Sequence, residues 1–324
     1  MRLFDEITPV LSMNSGPART RALAEALLTV IIWGATFVAT KIALQEVSPA
    51  AVVWLRFSMG LVVLGIAARL RNELSPPARG ELGYLALLGL IGVAFHQWLQ
   101  ATGLLTAQAT TTAWIVATTP IFIVLLGWGT LGERVSRIQG AGIGLAALGV
   151  VLVVTKGDLA ALFLRRVATT GDVLVLVSAL NWAVYTVLSR RGLARMPAAK
   201  MMFFVMLAGW LFVSIWLLGF GPGVREFGRL SMRGWSAIAG LGIFGSGLAY
   251  IMYYDALRVL PASQLGVFLN IEPLVTMLLA APLLAEPITL MTLLGGGLII
   301  AGIYLVNRRH AVPAKSASRY APEE

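Results

Sequence analysis

The segment from Ala109 to Thr155 returns 153 residues later as the segment from Ala262 to Asn307. Laid on one another without a gap, Pro120 falls on Pro273, Glu133 on Glu286, Gly144 on Gly297 and Gly149 on Gly302. Two apolar helices joined by a short acidic turn have been used twice. A repeat of this size sets the architecture on which every other motif must be placed.

The composition says where such a repeat can live. A 324-residue chain that is 58% hydrophobic and only 12% charged, with a mean hydropathy of +0.84, cannot bury its apolar surface in one water-soluble core, and belongs in a lipid bilayer. The net charge of +10 does not point to nucleic acid, because Lys and Arg fall between apolar runs and form neither a stripe nor an aromatic-interleaved patch. No nucleic-acid partner is expected. There is no cysteine, and His96 and His310 are the only histidines, so thiol chemistry and a ligand-rich metal site are excluded and no cofactor is expected.

A helix that crosses the hydrocarbon needs about 20 mostly apolar residues. Ten such runs are present: Ala22 to Leu44, Ala50 to Ala68, Leu82 to Leu105, Ala109 to Leu131, Ile138 to Val154, Asp172 to Ser189, Met201 to Phe220, Trp235 to Leu257, Ala262 to Ala285 and Ile288 to Val306. They are long, rich in Ala, Leu and Gly, and lack the short alternation of a barrel strand, so helix is predicted throughout. The expected fold is an all-α integral membrane protein of ten transmembrane helices, arranged as two inverted five-helix repeats.

The expected division is a cytoplasmic tail at 1–21, a first repeat at 22–155, a linker at 156–171, a second repeat at 172–307 and a cytoplasmic tail at 308–324. The N-terminal stretch is too mixed in polarity for a cleaved signal peptide. The linker carries an apolar LAALFL core that either lies on the membrane surface or serves as a plain connection. With both ends on the cytoplasmic side, seventeen Lys and Arg fall on that side against six on the other. Five spans per half, an odd number, inserts the second half upside down. In transporters that arrangement places the substrate site near mid-depth between the halves.

Several residues inside the spans carry chemistry. Glu272 sits where an ionised carboxylate is expensive, and is expected either to load and release a coupling proton or to bond backbone groups disturbed by Pro273. His96, with Gln97 beside it and Gln100 one turn on, either binds a polar end of the substrate or satisfies a neighbouring helix. Aromatic and polar residues recur at helical spacing: Trp33, Thr36 and Phe37 on the first span, Trp114 and Thr118 on the fourth, Asn181, Trp182 and Tyr185 on the sixth, and Tyr250 and Tyr254 on the eighth; Asn270 on the ninth completes the expected substrate-binding set. Trp33 aligns with Trp182 at an offset of 149, which sets two indoles across the repeat axis. Indoles, phenols and amides together suit a small amphipathic solute. Tyr253, Tyr254, Trp128 and Trp235 have a second reading in the interfacial belt.

Pro120 and Pro273 remove the same backbone bond in corresponding helices and are expected to act either as hinges or as static kinks. Glu133, Arg134, Arg137 and Glu286 are expected to anchor helix ends. Lys41 and Arg56 are expected to extend toward the headgroups, with a substrate carboxylate as the alternative partner of the deeper Arg56. The run from Gly140 to Gly144 follows a helical turn and not a strand, so it is read as helix packing and not as a dinucleotide loop.

Taken in order, these motifs resemble the drug/metabolite transporter superfamily, and within it the ten-helix EamA-type exporters. The resemblance rests on WGATFVATK from Trp33 to Lys41, Leu55-Arg56-Phe57, Pro120, Gly132-Glu133-Arg134, Tyr254-Asp255-Ala256-Leu257 with Pro261-Ala262-Ser263, Glu272-Pro273, and Ala285-Glu286-Pro287, each half ending in a glycine-rich span. It covers Ala22 to Asn307. It implies a gradient-driven or proton-linked carrier in the cell (inner) membrane, often an amino-acid exporter, with a cavity lined by spans 1, 3, 4, 6, 8 and 9. The chain departs from the family's simplest pattern in its long linker and in lacking a second-half counterpart of Arg56. The competing class, a membrane-embedded enzyme, needs a nucleophile beside a base, and no Ser stands one helical turn from His96. A receptor without transport activity is the third class, and solute flux separates it from a carrier.

Overall fold

The computed structural model describes residues 16–131, 135–158, 168–193, 195–260 and 262–307. Glu133, Arg134, Pro261, the LAALFL stretch, residues 1–15 and the tail 308–324 therefore lie outside the described residues, and the rest of the expected N-terminal tail belongs to the first helix, which begins at Pro17. Those described are helical, with no strand among them.

Ten spans follow one another: α1 (Pro17–Ala43), α2 (Pro49–Leu70), α3 (Arg79–Gly103), α4 (Ala109–Leu131), α5 (Arg137–Thr155), α6 (Thr170–Leu193), α7 (Ala198–Gly219), α8 (Met232–Val259), α9 (Ala262–Leu269 and Glu272–Leu284) and α10 (Leu290–Asn307). At 1.5 Å per residue the 22 residues of α2 extend about 33 Å, enough to cross the hydrocarbon. Local signals set the ends. Ser48 caps α2, its hydroxyl accepting from the Ala51 amide, and Pro49 follows it; Ser136 and Gln139 form a reciprocal capping box at the start of α5. Large apolar side chains such as Leu28, Val62, Ile66, Leu148, Ile215 and Leu278 point outward, as a lipid-facing surface requires.

The packing obeys a two-fold relation between the halves. α1 lies against α8 and α9, while its counterpart α6 lies against α3 and α4. α5 and α10 cross antiparallel, with Gly142 opposite Gly302 and Gly149 opposite Gly295. α2 and α7 exchange indole bonds: Trp54 donates to Ser214 (2.8 Å) and Trp210 to Ser58 (2.7 Å). That exchange sets Trp54 against Trp210 and Ser58 against Ser214, so the position matching Arg56 is Phe212, whereas the offset of 149 points to Val205. Neither is a cation.

Glu286 bears out the reading of the acidic turns as anchors. Its carboxylate accepts the backbone N–H groups of Ala109 (2.7 Å) and Thr110 (3.0 Å), buried donors at the start of α4 that have no intrahelical partner. At the end of the bundle that bears Pro17 and Asn307, α2 and α8 are tied by a two-bond ion pair of Arg71 with Asp255 and by a second pair of Arg258 with Glu73.

Candidate functional site

Both helices that carry the aligned prolines are interrupted at mid-length. α4 breaks at Thr118 and α9 at Asn270 and Ile271, and Pro120 and Pro273 each stand second in the segment that follows. The prolines thus do more than bend their helices. Each takes a position whose N–H would have no intrahelical partner, which lets the chain stop and restart. Threonine hydroxyls bond carbonyls beside each break: Thr118 donates to Ile115 and Thr119 to Val116 (2.6 Å each), and Thr276 lies within 2.8 Å of the Gly34 carbonyl of α1 and 2.9 Å of that of Glu272.

A second irregularity is also used twice. α3 widens into a π-helix over Leu90–Phe95 and α8 over Gly240–Leu248. A π turn loosens the backbone ladder and is common where a helix does chemical work. In each case a side chain from the opposite half bonds a carbonyl of the widened segment. Asn181 of α6 donates to Ile91 (2.7 Å), and Trp33 of α1 donates to Gly245 (3.1 Å).

Around these bonds the aromatic residues gather in two groups. Trp33 packs on Tyr250 (5.4 Å between ring centroids) and on Tyr253 (5.2 Å). Trp182 packs on His96 (4.7 Å) and Tyr185 (4.8 Å), and Gly92 leaves room for the Tyr185 ring. The two indoles make no ring contact with each other; each is engaged by the half to which it does not belong. Thr36 bonds back to the Trp33 carbonyl and lies beside Gly245. His96 is buried with Nδ1 3.1 Å from the Ser178 carbonyl. A carbonyl only accepts, so Nδ1 carries the proton and Nε2 is left as an acceptor.

Arg56 joins the two groups. It does not reach for the headgroups. Its guanidinium turns inward, donating from Nε to the Ser246 hydroxyl (3.1 Å) and from Nη1 to the Gln97 amide oxygen (3.0 Å), and only 6% of the residue is exposed. A charge at such depth costs about 2.5–3.5 kcal/mol on the insertion scale. Among the described residues no carboxylate lies within ion-pair distance of it. Glu272, the first residue of the second segment of α9, is half-buried, and its carboxyl group makes no hydrogen bond or ion pair with a described residue.

Other members of the expected set stand apart. Phe37 is buried among Leu104, Ala109, Ala113 and Ala280. Trp114 is 1% exposed, its ring laid on Gly296 of α10, and Nε1 has no partner among the described residues. The Thr118 hydroxyl is spent on its own helix. Tyr254 lies toward the Arg71–Asp255 end, beside Leu64 and Ala68. Gln100 and Asn270 are half-buried without a side-chain bond to a described residue. The sequence alone offers Arg56 a substrate carboxylate only as its second reading, and does not join it to Ser246 and Gln97. The signal was there, since Arg56 is the one charge within an otherwise apolar second span, but the bonds that turn it inward come from α3 and α8.

Ten helices in two halves related by a two-fold, two of them interrupted and two widened, describe an integral membrane protein. A chain known from its crystal structure shares this fold, with a TM-score of 0.63 over 89% of this chain and 96% of its own, at 21% identity. The profile of the EamA-like transporter family matches residues 20–155 and again 169–308, and the chain belongs to that family.

A protein of Archaeoglobus fulgidus named an uncharacterized transporter is 30% identical over 284 residues, 87% of this chain and 96% of its own. A probable terminal-alkyne amino-acid exporter of Streptantibioticus cattleyicolor is 29% identical over 300 residues (92% and 97%). A probable amino-acid metabolite efflux pump of Salmonella typhimurium is 28% identical over 295 residues (86% and 92%). The protein is a multi-pass membrane transporter, not an enzyme.

Proposed function

We propose that the chain is a secondary-active exporter of a small amphipathic metabolite of the amino-acid class, working by alternating access. The observation that carries this reading is the cluster of Trp33, Arg56, Gln97, His96, Trp182, Ser246 and Tyr250, drawn from both halves at the level where α4 and α9 are interrupted and α3 and α8 widened. Irregular backbone is tolerated at that depth only where protein buries it or a cavity meets it, and inverted-repeat carriers place their solute there. The names of two relatives favour an amino acid and the outward direction. On this reading residues 22–155 and 172–307 rock against each other about the proline breaks, the segment 156–171 links them, and the tails 1–21 and 308–324 face the cytoplasm of the cell (inner) membrane.

Glu272 is the group proposed to couple transport to protons. It is a carboxyl group without a hydrogen-bond or ion-pair partner among the described residues, at the break of α9 and directly before Pro273. The test is counterflow of labelled amino acids in proteoliposomes with and without a pH gradient. The expected result is flux that the gradient accelerates and that Glu272→Gln uncouples while exchange persists. Full gradient-driven flux in Glu272→Gln rejects the coupling role, and the absence of flux for every amphipathic solute rejects the carrier reading.

A further inference from the structure

Each carboxylate whose contacts are given already has a use. Glu25 pairs with Arg21, Asp255 with Arg71 and Glu73 with Arg258; Glu46, Glu81, Glu226 and Glu286 bond backbone amides, and Asp172 bonds Thr169. Two ionisable groups inside the spans remain among the described residues, the buried guanidinium of Arg56 and the half-buried carboxyl of Glu272. They do not meet. Tyr250, whose ring packs on Trp33, belongs to the same cluster as Arg56.

The setting of Arg56 is that of a held donor with one nitrogen unbonded. Ser246 and Gln97 fix Nε and Nη1, and the face of Phe57 lies 5.1 Å from the guanidinium carbon. Nη2 has no hydrogen-bond partner among the described residues, and it is not one of the fully sealed polar atoms. Gly245 lies on that side of the guanidinium. A β-carbon there would lie 3.8 Å from Nη2 and 2.8 Å from the Thr36 methyl group. A neutral amide would tie α2 to α3 and α8 without burying a charge. What a guanidinium adds is strong, directed bonding to an anion, and carboxylates fit its planar donor face.

Resting on the transport reading above, we infer that Arg56, pre-set by Gln97 and Ser246 and unbonded at Nη2, is the subsite for the carboxylate of the transported solute. The substrate class is then narrowed to apolar-tailed carboxylates, with the tail toward Trp33 and Tyr250. Cationic amphiphiles without a carboxylate, such as amine drugs, are poor substrates. Unbound Arg56 is a buried charge without a counter-ion; the arriving carboxylate neutralises it, and Gln97 and Ser246 need not move.

The test uses the full chain in proteoliposomes and in detergent with four probes: L-phenylalanine, 3-phenylpropionate, L-phenylalaninamide and phenethylamine. Wild type is expected to bind the two carboxylates at least about tenfold more tightly than the amide and the amine. Arg56→Gln is expected to erase that preference while still binding phenethylamine as wild type does. Arg56→Lys keeps the charge but not the fork, and is expected to retain part of the preference. Persistence of the full carboxylate preference in Arg56→Gln overturns the inference. So does equal binding of phenylalanine and its amide by wild type, a result that needs no variant to fold. Transport without carboxylate preference sinks the subsite alone; no binding or movement of any probe sinks the subsite and the amphipathic-carrier reading together.

Discussion

Gly149 of α5 and Gly295 of α10 face each other's backbone. A methyl group on Gly149 would come 2.5 Å from the Gly295 carbonyl oxygen, and one on Gly295 would come 2.7 Å from that of Gly149. Gly142 and Gly302 repeat the relation at 2.7 and 2.5 Å. Without a hydrophobic drive between helices in lipid, such close contact supplies the packing that holds them together.

The same helices carry Gly144 and Gly297, whose added β-carbon would meet nothing within 4 Å. The two sorts of glycine should therefore respond with opposite sign. Gly149→Val or Gly295→Val is expected to cost about 1–3 kcal/mol through forced separation. Gly144→Ala or Gly297→Ala is expected to raise stability by about 0.5–1 kcal/mol through helix propensity. Unfolding of the purified variants in mixed detergent checks both, and a loss at Gly144 equal to that at Gly149 would be the contrary result.

The widened segments of α3 and α8 depend on side chains from the opposite half. Asn181→Ala leaves the Ile91 carbonyl without its donor, and Trp33→Phe does the same to the Gly245 carbonyl. Each should destabilise by about 1–3 kcal/mol, the cost of an unmet buried polar group. Proteoliposome flux should fall in both, and hydrogen exchange should quicken at residues 90–95 in the first variant and at 240–248 in the second. Exchange unchanged at those residues would mean that the π turns hold without these bonds.

Ala285 closes α9 in the left-handed region at φ 54°, a conformation that costs a side-chain-bearing residue about 1–2 kcal/mol. The residue aligned with it in the first half is Gly132. Ala285→Gly relieves the strain and gives part of it back as unfolded-chain entropy, for an expected net gain of about 0.5–1 kcal/mol. Glu286→Ala, one residue on, removes both acceptors from the start of α4 and should cost about 1–2 kcal/mol. Thermal unfolding of the two variants side by side separates these signs.

Glu46, in the turn between α1 and α2, accepts from the hydroxyl and the amide of Ser231, both at 2.6 Å. These bonds, the hydroxyl's first, hold its carboxyl group below the ordinary carboxylate value. A depressed value in the folded state gives stability that is fully present above the unfolded value of about 4.3 and is lost as pH falls through the folded one. The Tm difference between wild type and Glu46→Gln should therefore be constant from pH 7 to about pH 5 and vanish on further acidification. A difference that grows toward low pH would contradict the assignment.

Much of the architecture is legible in the one-dimensional string. Length and apolarity mark all ten spans, the two interrupted ones included, and the aligned prolines locate both breaks within three residues. Glu286 is recognisable as an anchor because a short turn between spans needs one. The π segments left no comparable mark, for the residues of 90–95 read as ordinary helix, and what makes them distinct is a carbonyl taken by Asn181 from across the bundle. Trp114 and Trp33 look alike as members of an aromatic series, yet one is sealed against Gly296 and the other holds the Gly245 carbonyl.

Hydropathy and the repeat thus determined that this chain crosses a bilayer ten times in two opposed halves, because a backbone in hydrocarbon must satisfy its own amides and only long apolar helices do so. They did not determine which face of each helix looks inward. In a soluble protein the apolar stripe marks the core. In lipid both the core and the outer surface are apolar, so periodicity does not tell them apart, and the direction of a side chain such as Arg56 is decided by partners on other helices, here Gln97 and Ser246.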